Sequence, residues 1–177
     1  MTVKRMVLIA MCTAILFVQE LFLTVLPNIQ FTVLLLVVYA SIFTFRENVI
    51  IIFVHVILDN MAMGTLNPFY MTPMFFGWLM VPILYHLLMR KTTSEIKLAF
   101  FGILISIIYG WMYIPFNMIQ TGIHVFWPYL LADIPFQILM AMSSFLTILW
   151  LYPILHTTLS HQLEVYETHG FMVSKTR

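Results

Sequence analysis

The chain has 177 residues, of which 62% are hydrophobic and only 8% are charged, and its formal net charge is +1. A soluble domain has about 25% charged residues, so this composition excludes an ordinary soluble globular protein. The mean hydropathy of +1.00 instead predicts an integral membrane protein that forms a single domain over residues 1–177. Because its apolar runs are continuous and not alternating, we expect an all-α protein. Because Cys12 is the only cysteine, no intrachain disulfide can form.

Long apolar runs separated by charged or turn-forming segments predict six transmembrane helices. The first run follows Lys4 and Arg5; it is longer than the core of a signal peptide and lacks a clear cleavage site, so we expect it to remain as a helix. The second and third runs are short, about 15 residues or roughly 22 Å each. The predicted helices are residues 6–26, 31–45, 48–63, 69–89, 98–120 and 127–155, with a cytoplasmic tail at 156–177.

The basic residues predict the orientation of these helices. Each one lies before the first helix, after an even-numbered helix, or in the tail, so all of them fall on one side of the membrane. The positive-inside rule then places both termini in the cytoplasm of a multi-pass protein, most simply in a prokaryotic plasma membrane. The residues concerned are Lys4, Arg5, Arg46, Arg90, Lys91, Lys97, Lys175 and Arg177.

Three acidic residues fall within helices, toward the predicted outer face. They are Glu20 late in the first helix, Asp59 late in the third and Asp133 early in the sixth. A carboxylate at the centre of a span costs about 2.5–3.5 kcal/mol on insertion scales, so such groups usually face a cavity or a partner. The outer connections contain no lysine or arginine that could pair with them.

Many other hydrogen-bonding and aromatic residues are predicted at the same depth. Convergent polar groups with aromatic walls are typical of a small-molecule site, and this set predicts one. In the alternative interpretation these groups cap helix ends, face water or join helices by hydrogen bonds. The set comprises Gln19, Glu20, Asn28, Gln30, His55, Asp59, Asn60, Asn117, Gln120, His124, Trp127, Tyr129, Asp133 and Gln137.

No motif supports catalysis, ATP hydrolysis or a bound metal. A P-loop sequence is absent, so any energy must come from a partner or a gradient. The spacing of His156, His161 and His169 matches no zinc signature, and a solvated tail is the simpler interpretation. We therefore expect neither an enzyme nor a cofactor of its own.

Three segments resemble the substrate-binding S components of energy-coupling factor (ECF) vitamin transporters. They are AMCTA at residues 10–14, LPNIQ at residues 26–30 and LADIPFQ at residues 131–137. The length, six predicted helices and cytoplasmic termini fit the same family. The resemblance implies a transmembrane T component and two ATPase subunits as partners, which hydrolyse the ATP while the S component captures the vitamin outside and releases it inside.

The resemblance also implies roles for particular residues. Ala10 and Ala14, one helical turn apart, would pack against the T component, consistent with a small-xxx-small pattern, although packing within the chain is an equal alternative. The segment with Asn28 and Gln30 would form a lid. For the pocket, the resemblance points to Asn117, Trp127 and Asp133. Together with the lid residues and with Glu20, Asp59 and Gln137 from the polar set, the predicted substrate-binding residues are Glu20, Asn28, Gln30, Asp59, Asn117, Trp127, Asp133 and Gln137.

Charge narrows the expected substrate. Folate, biotin, pantothenate and niacin are anions, which three carboxylates without an outer lysine or arginine would repel. Cobalamin or a related corrinoid, with its rim of amide donors, is the preferred prediction, ahead of thiamine-like cations. His55 or His124 could ligate the cobalt of a corrinoid, but ordinary hydrogen bonding is the simpler role. The competing functions are a non-transporting scaffold subunit and a stand-alone facilitator.

Overall fold

The computed structural model describes residues 3–26, 28–122 and 126–175, and these contain six α-helices and no β-strand. The helices are close to those predicted, except that the last continues through most of the expected tail. A π-helical turn, Tyr85–Met89, extends the fourth helix. The helices are α1 Val3–Leu23, α2 Thr32–Ile42, α3 Phe45–Ala62, α4 Pro68–Leu84, α5 Glu95–Thr121 and α6 Phe126–Lys175.

Four of these helical segments are long and apolar enough to cross a membrane. They are α1, the combined segment Pro68–Met89, α5 and the Phe126–Val165 part of α6. Large apolar side chains cover the outer surfaces of α1 and α6, such as Phe22 at 76% exposure and Trp150 at 67%. A bilayer would cover such faces, so the all-helical, membrane-embedded class follows. Six crossings and cytoplasmic termini stay predictions.

Helix α2 is the centre of the bundle. It has 11 residues, about 16 Å at roughly 1.5 Å per residue, which is much less than the roughly 30 Å hydrocarbon core. All nine residues from Thr32 to Ala40 are buried, and α1, α3, α4, α5 and α6 all pack against it. A helix that is apolar on every side belongs inside a protein. This position explains why so short an apolar run is stable.

A polar clamp joins the beginnings of α1 and α3. The Arg5 guanidinium forms an ion pair with Glu47, in which Nη2 donates to Oε2 at 3.0 Å. The Glu47 carboxylate also accepts from the backbone N–H and the hydroxyl of Thr44, forming a capping box. Asn48 donates to the carbonyl oxygens of Tyr39, Phe43 and Thr44. We call Arg5, Thr44, Glu47 and Asn48 the basal clamp.

Helix α4 changes its hydrogen-bonding pattern near its end. Pro73 and Pro82 lie inside the helix, and each lacks the N–H that would bond to the preceding turn. The π-helical turn begins three residues after Pro82. Proline and π-type turns are recognised causes of helix bending, so this end of α4 has two of them in succession.

The connection between α1 and α2 is held at its far end by Gln19. The Gln19 side chain accepts from the backbone N–H of Phe31 at 2.9 Å and donates to Thr32 Oγ1 at 2.8 Å. Asn28, within the connection, adopts the left-handed backbone conformation with a φ of 57° and is exposed. This loop therefore returns directly over the end of α1 that contains Glu20.

Candidate functional site

A buried acid–histidine pair links α1 to α3. Glu20 Oε2 lies 3.0 Å from His55 Nε2, and the His55 side chain is fully buried. Thr32 donates its hydroxyl to the same Glu20 oxygen at 3.2 Å, which brings the first turn of α2 into the site. The pair lies at the end of the bundle opposite the basal clamp, because Glu20 and His55 are in the later halves of their helices.

Asp59 lies one helical turn after His55 and is also buried. Asp59 Oδ1 and both ring nitrogens of His55 lack a hydrogen-bonding partner among the described residues. The Glu20–His55 contact is therefore an electrostatic one without hydrogen-bond geometry. Asp59 lies near enough to Glu20 and His55 to interact electrostatically with both. A buried polar atom without a partner costs about 1–3 kcal/mol, so a hydrogen bond to any of these atoms would be favourable.

Helices α4 and α5 supply an aromatic wall. The Trp78 and Tyr109 rings stack with centroids 3.8 Å apart, and the Tyr109 and Tyr113 hydroxyls lie 3.1 Å from each other. Both tyrosines lie near enough to Glu20 and Asp59 to interact electrostatically with them. The wall and the acidic groups thus form one cluster, the central site, which comprises Glu20, Thr32, His55, Asp59, Trp78, Tyr109 and Tyr113.

Glycine at position 77 allows this wall to form. A Cβ added to Gly77 would lie 2.7 Å from Tyr109 Cδ2, closer than real Cβ contacts. Without a side chain there, the Tyr109 ring can approach the α4 backbone and stack on the neighbouring Trp78. The identity of one residue on α4 therefore determines the position of a ring on α5.

Four of the other predicted polar residues form a second group on α5 and α6: Asn117, Tyr129, Asp133 and Gln137. Asn117 donates to the Tyr129 hydroxyl at 2.8 Å, and Gln137 donates to Asp133 Oδ2, also at 2.8 Å. The Gln137 side chain lies directly against Gly110, where a Cβ would overlap it. The predicted pocket residues are thus divided between two places, with Glu20 and Asp59 in the central site and Asn117 of α5 with Asp133 and Gln137 of α6 in the second group.

Other predicted residues lie outside both groups. Asn28 is exposed, and Trp127 is 69% exposed. Gln30 contributes its backbone carbonyl oxygen, which accepts a hydrogen bond from Ser143 at 3.3 Å. His124 lies outside the described residues. Ala10 and Ala14 are exposed on α1, and their docking role stays a prediction.

Sequence reasoning did not single out Trp78, Tyr109, Tyr113 or Thr32 as members of the site. One signal was present, since Tyr109 and Tyr113 are four residues apart and therefore share a face of α5. Their polar tips at the depth of the acidic residues could have suggested a role. Trp78 and Thr32 carried no comparable signal.

An apolar groove of about 720 Å³ runs along the outside of α5 and α6. Of the described residues that line it, only Gln137, with its amide, and Trp111, with its indole N–H, have polar groups in their side chains. The described residues include no group of three or more histidine, cysteine, aspartate or glutamate side chains arranged to hold a metal ion. The groove is therefore a surface suited to hydrocarbon, whereas the central site contains buried polar groups.

Comparison with known proteins identified no relative of this chain: no family model, no curated protein and no solved structure matches it.

Proposed function

We propose that this chain is the membrane-embedded substrate-binding subunit of an ECF-type importer, an S component that captures a vitamin-like solute at the outer face. A T component and two ATPase subunits would complete the importer and hydrolyse the ATP. Cobalamin, a related corrinoid or a thiamine-like cation are the substrates that the charge distribution favours. The chain itself needs no catalytic residue for this function.

The central site is the observation that carries the proposal. Two acidic side chains, a histidine and an aromatic wall meet inside an apolar bundle, and several of their polar atoms have no partner among the described residues. Ionisable groups inside a membrane protein are expensive and usually mark a substrate or ion site. A bound solute would supply the missing hydrogen bonds.

The position of the site supports capture from one face of the membrane. The site lies beneath the α1–α2 connection, at the end of the bundle opposite the basal clamp. Arg5 and Arg46 lie at the clamp end, so the positive-inside rule assigns that end to the cytoplasm and the site to the outside. The loop around Asn28 would then be the lid.

The partner assignment can be tested by co-purification from cells that express the chain with candidate T and ATPase subunits. Wild type should form the complex, and Ala10→Trp or Ala14→Trp should abolish it. Phe22→Trp is the matched control, because Phe22 is also exposed on α1 but lies nearer its other end. Normal assembly of both alanine variants would exclude this docking surface.

Substrate binding needs a separate measurement, a thermal-shift or calorimetric screen of the purified protein against a vitamin panel. A cobalamin or thiamine signal that is lost in Asp59→Asn would support the proposal. Tight binding of folate or biotin would contradict the charge argument.

A scaffold subunit is the second candidate, favoured by the Asn117–Tyr129 hydrogen bond between α5 and α6. Such a bond can act as interhelical glue without any ligand. This function predicts that Asp133→Asn lowers stability and that no vitamin shifts the melting temperature. A vitamin-dependent shift would exclude it.

A further inference from the structure

Within the proposed substrate-binding function, on which this inference rests, the structure can narrow the chemistry of the ligand. We propose that the central site binds a compact organic cation. A planar nitrogen group of this cation donates N–H groups to Glu20 and Asp59, and its aromatic portion lies against the aromatic wall. An amidinium, a guanidinium or an aminated heteroaromatic cation has this chemistry.

The charge of the site is the first argument. Glu20 and Asp59 interact with one another, and the ion pairs among the described residues give neither of them a lysine or arginine partner. Among the described residues, His55 is the one basic side chain in contact with Glu20. With both carboxylates ionised, the cluster is net negative even when His55 carries a proton. Burying two carboxylates with one possible counter-charge is unfavourable, and a cationic ligand removes that imbalance.

The unpartnered atoms are the second argument, independent of the charge. Asp59 is only 8% exposed, and its Oδ1 accepts no hydrogen bond from the described residues. A carboxylate oxygen can only accept, so its missing partner must be a donor. The adjacent His55 Nδ1 is equally unpartnered within a fully buried ring. A ligand with N–H groups satisfies both the charge and the hydrogen bonding of Asp59.

The walls of the site limit the size of the ligand. Trp78 and His55 are fully buried, the Glu20 side chain is 14% exposed, and Glu20 Oε2 lies 3.0 Å from His55 Nε2. The Trp78–Tyr109 stack occupies the α4–α5 side, and the Tyr113 hydroxyl hydrogen-bonds to Tyr109. An aromatic cation gains from an electron-rich ring face within about 6 Å, which tyrosine supplies. Because these side chains contact one another, a macrocycle would displace more of them than a single planar ring system would.

The test uses three molecules of nearly the same shape: benzamidine, a cation; benzamide, its neutral counterpart; and benzoate, an anion. The full chain is purified in detergent and its melting temperature is followed during titration with each compound. Benzamidine should raise the melting temperature, and benzamide and benzoate should not. Equal stabilisation by benzamide, or stabilisation by benzoate alone, would overturn the proposal, as would no effect of benzamidine on the folded protein.

Isosteric variants locate the effect. Glu20→Gln and Asp59→Asn keep the side-chain shape and should each weaken benzamidine binding at least tenfold. Glu95→Gln is the matched control, since Glu95 is exposed in the first turn of α5, and it should bind like wild type. Unchanged affinity in both site variants would overturn the proposal. A melting transition measured without ligand shows for each variant that it has folded.

The outcomes separate this inference from the proposed function. If a corrinoid binds and the T component co-purifies while benzamidine has no effect, the importer function stands and the cation inference is wrong. If benzamidine binds through Glu20 and Asp59 but no T component associates, the site chemistry stands and the importer function is wrong.

Discussion

The two carboxylates on α3 differ in their hydrogen bonding. At the beginning of the helix, Glu47 accepts hydrogen bonds from Arg5 and from the backbone N–H and hydroxyl of Thr44. About 18 Å further along, Asp59 Oδ1 accepts none from the described residues. Both carboxylates are buried, with 6% and 8% of their surface exposed. Among the described residues, Glu47 thus has a guanidinium and several donors, whereas Asp59 has His55 nearby and no donor at Oδ1. A carboxylate oxygen with no donor inside the protein is suited to a donor from outside.

The largest expected effect comes from breaking the basal clamp. Glu47→Ala leaves the Arg5 guanidinium without its bidentate partner and removes the capping box of α3. Loss of one member of a buried ion pair costs about 3–5 kcal/mol, and the partial exposure of Arg5 places this variant near about 3 kcal/mol. Thermal unfolding in detergent measures the loss. A change below about 0.5 kcal/mol would show that the clamp is not structural.

A substitution on α4 should affect the central site without touching its charges. Gly77→Ala pushes the Tyr109 ring away from Trp78, because the new Cβ lies 2.7 Å from Tyr109 Cδ2. Overpacking of this kind costs about 1–3 kcal/mol, and we also expect at least a fivefold loss of benzamidine affinity.

Gly102→Ala is the matched control for that variant. Its Cβ would lie 2.5 Å from Ile148 Cδ1, between α5 and α6 and outside the central site. It should lower stability by a comparable amount and leave benzamidine affinity unchanged. Equal losses of affinity in both variants would show that binding responds to general destabilisation and not to the position of the aromatic wall.

Neutralising Asp59 should raise the stability of the ligand-free protein, whereas the preceding substitutions lower it. Asp59→Asn removes a buried charge without a hydrogen-bonding partner at Oδ1, so the ligand-free protein should become more stable by about 1 kcal/mol. The same variant should lose ligand binding. A stabilised, non-binding protein is the signature of a functional site. A destabilised Asp59→Asn protein would instead indicate a structural role for the carboxylate.

The smallest expected effect is the response of the basal clamp to acid. Glu47 lies before the predicted apolar span of α3, and the Arg5 guanidinium, with the donors of Thr44, lowers its pKa from 4.5 to about 2. A lowered pKa stabilises the folded state above the unfolded pKa, and this contribution is lost as the pH falls from 4.5 toward 2. Between pH 7 and pH 4 the loss stays below about 1 kcal/mol. Glu47→Gln should lack this component in a comparison of unfolding curves.

Much of the fold was predictable because the hydrocarbon of a membrane restricts which sequences can form which secondary structures. Every backbone polar group in hydrocarbon must be bonded internally, so apolar runs become helices, and charged or turn-forming breaks end them. The helices observed at Val3–Leu23 and Glu95–Thr121 are close to those predicted from the runs alone. The acidic residues within helices, Glu20, Asp59 and Asp133, were equally visible in the sequence.

Tertiary structure alone decided which polar residues meet. Glu20, His55 and Asp59 of the set predicted at the outer depth lie in the central site, whereas Asn117, Asp133 and Gln137 lie in the second group on α5 and α6. Depth in a membrane does not specify the direction of a side chain around its helix, so the sequence did not predict this division. Packing also placed the short α2 inside the bundle, where its length need not match the bilayer. The sequence determined that Glu20 and Asp59 fall within apolar helices, with no lysine or arginine in the predicted outer connections. The helix packing determined that Glu20 and Asp59 lie together with Tyr109 nearby, since only contact between helices sets such neighbours.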